Sequence, residues 1–273
     1  MRRAAVNLWI GATLVGLLTI IALLSLVWTP HDHTLLSISN RFQDPSVTHP
    51  LGTDQLGRDV VSLLMTASIN SLTVAFAAVG IGGLIGTGMG LVASARGGWT
   101  EAALMRICDL GFAFPAILFA IMLAAAFGPS LGNAILAIAF INIPIFARVT
   151  RGAANQIWAR EFVMAARATG RSGWGITWQH ILPNIAPILI VQATIEFAVA
   201  ILAEAALSYL GLGAQPPMPS WGRMLSEAQT LMYIAPELAI YPGLCIVLAV
   251  LGFGLLGDGL RDLTDPRLVR SRK

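Results

Sequence analysis

Lysine is all but missing from this 273-residue chain: its one lysine is Lys273, the final residue. A phosphate-cradling Gly-x-x-x-x-Gly-Lys-Ser/Thr loop is therefore absent, and the chain cannot bind and hydrolyse ATP in that way. Gly-x-Ser-x-Gly and His-Glu-x-x-His are missing too, which removes the usual marks of a serine hydrolase and of a zinc protease. Charge of either sign is scarce, at 11% of residues, against about 25% in soluble domains. Of the two cysteines, Cys108 and Cys245, each falls in or near a different hydrophobic segment. They read as small apolar packing residues, with nothing to suggest a disulfide. The low charge places the chain in the membrane, and no catalytic group and no bound cofactor of its own are expected.

What the chain has instead is length without charge. Hydrophobic residues make up 56%, and six segments are long enough to cross a hydrocarbon core of about 30 Å. They lie near 8–28, 72–95, 103–127, 131–149, 185–210 and 236–257. The expected fold is all-α and polytopic: a single transmembrane domain over 1–273, with six spanning helices. Arginine and lysine set its orientation, because retained loops carry the excess. Only Arg41, Arg58 and Arg223 fall on one side, while the N-terminus, the 96–106 turn, the 148–171 region and the tail share the other fourteen. Both termini are thus expected in the cytoplasm. The formal charge of +3 reports this topology and gives no reason to expect nucleic-acid binding. Arg2 and Arg3 precede an apolar run longer than a signal-peptide core, so the first helix is expected to stay uncleaved.

Between the first two spans lies an outer segment, about 29–60. His31, Asp32, His33 and His49 sit there without ligand spacing on any regular element, so no metal site is expected. In His49–Val60 (HPLGTDQLGRDV), Pro50, Gly52 and Gly57 mark turns, and Asp54, Arg58 and Asp59 can pair to hold the loop together. Gly82, Gly86 and Gly90 recur every four residues, a smooth helix face that admits a second backbone. Arg106 and Asp109, three apart, are expected to pair. Pro115 and Pro144 are each expected to kink a helix. Glu196 and Glu204 share a face of the fifth span and must turn away from lipid. For Glu204, lining a conduit and making a buried structural hydrogen bond are both open.

The longest charged stretch between spans is Glu161–Asn184 (EFVMAARATGRSGWGITWQHILPN), inside a loop of about 151–184. It reads as a short helix, a break at Gly170, and a second short helix ending near Pro183. Ala165, Ala166 and Ala168 offer a surface that side chains of another protein can approach closely. This pattern resembles the "EAA" loop of the inner-membrane permeases of binding-protein-dependent ABC importers, with Met164 and His180 departing from the usual residues. The His49–Val60 string, Ile201–Gly213 (ILAEAALSYLGLG) and Gly254–Leu268 (GLLGDGLRDLTDPRL) resemble the dipeptide, oligopeptide and nickel branch of that family, and occur in family order. Around Ile69-Asn70, at Arg96 and at Gly254 the chain departs from the branch pattern.

The resemblance implies a bacterial inner-membrane subunit forming half of a pathway for di- or oligopeptides, or for a related solute such as nickel or glutathione. It implies a second homologous permease, two cytoplasmic subunits holding ATP and Mg, and a periplasmic or tethered solute-binding protein. It assigns ATPase coupling to Glu161, Ala165, Ala166, Gly170, His180, Leu182 and Pro183. A contact on the binding-protein side is implied for Trp221, in the proline-rich loop 211–225. Two rivals are a carrier driven by an ion gradient, for which no internal inverted repeat is evident, and a non-transporting membrane assembly.

Overall fold

The computed structural model describes residues 2–264. Asp265, Arg267, Arg270, Arg272 and Lys273, which entered the charge count and the C-terminal signature, lie outside the described residues. Among the described residues the chain is helical, with only an isolated bridge between Thr53 and Asp59. The helices are α1 (Arg2–Leu24), α2 (Val60–Arg96), α3 (Gly98–Ala113), α4 (Ala116–Phe127) and α5 (Leu131–Trp158). They continue with α6 (Glu161–Ala168), α7 (Gly173–Ile176), α8 (Leu182–Tyr209), α9 (Trp221–Ala228) and α10 (Glu237–Thr264). Among the described residues five helices are long and apolar enough to cross a membrane, or six if the bent α3–α4 pair is one span, with α7 and α8 counting as one continuous span, Gly173–Tyr209.

The expected span at 103–127 is a broken pair, not one kinked helix: α3 and α4 meet at an angle of 81°. Proline disfavours helical backbone in the residue before it, and Phe114, which precedes Pro115, is extended at φ −91°, ψ 123°. Pro144 behaves otherwise, lying inside an uninterrupted α5. The second span begins at Val60, well before residue 72, because Asp59 caps it. The Asp59 carboxylate accepts from Ser62 N at 2.8 Å and from Ser62 Oγ at 2.7 Å, satisfying a donor that the first turn leaves free.

The glycine row does what its spacing implies. α2 and α5 run parallel, and side chains at Gly82, Gly86 or Gly90 would place a Cβ 2.4, 2.3 or 2.6 Å from atoms of Asn142, Ile143 or Ala147. No side chain fits there, so the two backbones pack directly. α1 lies antiparallel along α10, where a Cβ on Gly11 would meet the Leu256 backbone at 2.4 Å. Phe76, Phe197 and Phe253 cluster where α2, α8 and α10 meet, with centroids 4.6 Å apart for Phe76–Phe197 and 5.1 Å for Phe197–Phe253. Alternating spans leave two ends. Residues 25–59 and 210–236 share one, here the latch end, and 159–181 form the other, the loop end.

Candidate functional site

At the loop end, α6 is held by a single buried side chain. Val163 joins Leu91, Ala154, Ile176, Ile181 and Ile185 in a small apolar cluster separate from the main core. The rest of the helix faces outward: Glu161, Phe162, Met164, Ala165 and Arg167 are exposed, and Ala166 is half-buried against the cluster. Glu161 occupies the first turn and Arg167 the last, each matched to the helix dipole. Arg167 also lies 4.7 Å over the Trp158 ring. Gly170 takes φ +80° with nothing within 4 Å of a hypothetical Cβ. Its role is therefore conformational: it reverses the chain where an L side chain would be strained.

The second short helix does not end at Pro183. Ser172 caps α7 by accepting from Gly175 N at 3.2 Å, and the chain then widens into a π turn, Thr177–Ile181. There Leu182 N donates to Thr177 O, five residues back. Pro183 follows at the start of α8, where it has no N–H to contribute, and the wide turn carries the helix past it. Leu182 is half-buried on the apolar cluster, while the exposed Asn184 donates to His180 O at 2.6 Å. His180 sits 6.1 Å from the Phe162 ring, edge-on. The predicted coupling residues all lie at the loop end, and one of them, Glu161, borders an open cleft together with Arg160, Phe162 and Asn184.

At the latch end, Asp54 and Arg58 of the predicted loop charges do pair and reach further than expected, whereas Asp59 turns to Ser62 and His49. Arg58 Nε donates to Asp54 at 2.6 Å and Arg58 NH2 to Glu227 at 3.1 Å, while Arg223 Nε donates to Glu227 at 2.8 Å. Asp54 also accepts from the backbone of Leu56 and Arg58. The chain Asp54–Arg58–Glu227–Arg223 joins the first outer segment to α9. Asn70 adds a bond from α2 to Pro219 O at 2.6 Å, at a position where the branch resemblance fails. Glu227 went unnoticed in the sequence, although Arg223 and Glu227 stand at the i, i+4 spacing that signals a helical ion pair.

Two further sequence expectations are overturned. Trp221 is not a surface contact: it is fully buried, because α9 folds back into the bundle. Ser220 caps α9, the Trp221 backbone N–H donates to Ser71 Oγ at 3.2 Å, and Gly222 presses so closely on Ala205 that no Cβ would fit. Asp109 does not pair with Arg106. α3 packs on α5, and Asp109 accepts instead from Arg148 at 2.5 Å, whose guanidinium lies 4.4 Å over Phe112. Arg106 is exposed.

Glu196 and Glu204 are both buried, as their shared face required. Glu196 accepts from Gln192 at 2.7 Å. Glu204 accepts from Ser208 Oγ at 2.7 Å, and that hydroxyl also accepts from Ala214 N. Ser71 and Ser220 lie beside the same carboxyl. Glu204 has no exposed surface and bonds within α8 to Ser208, which in turn holds the 211–214 turn through Ala214 N; it lines no open path in this conformation. The open surface lies elsewhere, in a groove of about 590 Å³ between α2, α5 and the α7–α8 helix. Gly83, Leu84, Gly88, Phe146, Trp174 and Phe197 line it with others, and no charged residue does.

The histidines of the outer segment are not scattered. His31 and His49 converge on Asp59, their rings 4.4 Å apart between centroids, while Asp32 turns to Thr34. Burial pushes the Asp59 carboxyl up, but hydrogen bonds from His49 and Ser62 outweigh it and leave it below the ordinary value.

Residues 82–270 match the family described as binding-protein-dependent transport system inner membrane component. The dipeptide transport system permease protein of Alkalihalophilus pseudofirmus is 44% identical over 95% of this chain and 85% of its own. The glutathione transport system permease protein of Pectobacterium atrosepticum is 45% identical over 83% of this chain and 75% of its own. Among solved structures, an inward-facing MetNI methionine ABC transporter superposes with a TM-score of 0.63 over 74% of this chain and 97% of that one. At 20% identity that likeness speaks to fold alone. With the alanine-rich α6, the Gly170 reversal and the helical bundle as its physical counterpart, the chain belongs to the family of binding-protein-dependent transport system inner membrane components.

Proposed function

We propose that this chain forms half of the translocation pathway of an ATP-driven importer of short peptides and couples that pathway to ATPase subunits. The observation that carries the reading is the loop end: an exposed, small-residue helix joined through Gly170 to α7, which runs unbroken into α8. A partner seated on Ala165 and the cleft beside Glu161 and Phe162 would move α6, and through it the α7–α8 span. That is a physical route between two sites, which coupling requires. In this reading the loop end is cytoplasmic, both termini lie there, and ATP and Mg act in two partner subunits while this chain contributes no catalytic group.

The groove on α2, α5 and α8 would be closed by a second permease. Its apolar lining offers a peptide backbone few hydrogen bonds, so strong selection falls to a solute-binding protein docking at the latch end. Dipeptide and glutathione, named for two relatives, are both short peptides, which supports that solute class. A mild-detergent pull-down of the full chain tests the reading: a P-loop ATPase and a second permease are expected with it. Their repeated absence from a folded preparation would point to an ion-gradient carrier instead.

A further inference from the structure

We propose that His31, His49 and Asp59 form a binding site for one divalent transition-metal ion of the Zn²⁺ type at the latch end. Two imidazole nitrogens and one carboxylate oxygen are a donor set that such ions take with an open position for water. All three ligand atoms lie within 4.8 Å of one another. His49 Nδ1 is 3.0 Å and His31 Nδ1 3.8 Å from Asp59 Oδ1. Ligands about 2.0–2.1 Å from a tetrahedral ion stand about 3.4 Å apart, between those two values.

The ligands are held from behind. Asp59 spends Oδ2 on Ser62 N and Ser62 Oγ, which leaves Oδ1 directed at the imidazoles. The same Ser62 Oγ accepts from His31 N at 2.9 Å. His49 is fixed through its backbone, its N–H donating to Ser46 Oγ and its carbonyl accepting from Ser46 and Gly52. Supporting bonds of this kind orient metal ligands. The Asp59 side chain is fully buried and that of His49 15% exposed, whereas His31 is 41% exposed. An ion would therefore enter past His31, the ligand best able to close the remaining distance. On binding, His49 gives up Nδ1 and keeps its proton on Nε2, so the bond to Asp59 is replaced by two bonds to the ion. The ion would pin the start and end of the 29–59 segment to the first turn of α2.

The test uses the full chain, stripped with chelator and carrying an affinity tag without histidine. Co²⁺ serves as the visible probe and Zn²⁺ as its competitor. One Co²⁺ per chain is expected, displaced by Zn²⁺. His31→Ala, which leaves the Asp59 cap and the His31 backbone bond in place, should weaken binding by at least about 10-fold, the loss expected even for a supporting group. His49→Gln should do the same, and His33→Ala should change nothing. A chain that shows no Co²⁺ band at about 100 μM, far above the range of a specific site, would overturn the proposal. So would binding that survives His31→Ala and His49→Gln together, or that depends on His33.

Discussion

At the latch end, residues 29–59 and α9 are joined by a chain of four charged side chains, capped by Asp59 and Ser220, and rooted on the buried Trp221 and Glu204. At the loop end, α6 fully buries Val163 alone, with Ala166 half-buried beside it, and leaves most of its surface to solvent. The first arrangement is costly to disturb, because removing one member strands the others in a partly desolvated site. The second is cheap to move, since few buried contacts resist it. One end is built to keep its shape; the other, in the proposed reading, would accept a partner.

That contrast can be broken from either side. Arg58→Ala should have the largest effect, leaving Asp54 and Glu227 without their shared cation. We expect a loss of about 3 kcal/mol, read as a fall in Tm of the purified chain; an unchanged Tm would deny the latch its role. Ala165→Trp should do the reverse, leaving Tm within about 2 °C, as surface changes do. Transport and solute-stimulated ATP hydrolysis should nonetheless fall about tenfold, which corresponds to 1.4 kcal/mol. Full activity would remove α6 from the coupling surface.

Gly170→Ala places a Cβ at φ +80°, a strain of about 1 kcal/mol, and should lower the ATP-to-transport coupling ratio by a few fold while insertion is normal. The smallest effect belongs to Asp59 and pH, measured with chelator present. Its folded value is lowered, so the stabilisation it gives is complete above about pH 4, the ordinary carboxylate value, and is lost as pH falls through the lowered one. Tm of the parent chain should therefore fall more steeply below pH 4 than that of Asp59→Asn. Parallel curves would refute the assignment.

Much of the contrast was legible in the sequence. The scarcity of charge implied spanning helices, the four-residue glycine spacing implied a close approach of two helix backbones, and the charges of Asp54, Arg58 and Asp59 in one loop implied pairing there. These are short-range or periodic signals. What escaped depends on where loops return. Nothing in the spacing of His31, His49 and Asp59 shows that Ser62 gathers two of them, and Trp221 in a proline-rich loop reads as exposed until α9 turns inward. Pro115 predicts a kink, yet whether the chain bends gently or breaks at 81° depends on how α4 then packs. Asp109 had a plausible partner on its own helix and found a better one on α5.

The unbroken passage from α7 into α8 has one further consequence. A helix of 37 residues is about 55 Å long at 1.5 Å per residue. Such a rod behaves as a lever: tilted by about 5° around its middle, it shifts each tip by about 2–3 Å. Its far tip is held where Ser208 accepts from Ala214 N and Gly222 presses on Ala205, so in the proposed reading a push delivered beside Gly173 would be answered where α9 is seated. Reach, in this protein, is obtained by not breaking a helix at Pro183 or Pro187, where a proline invites it.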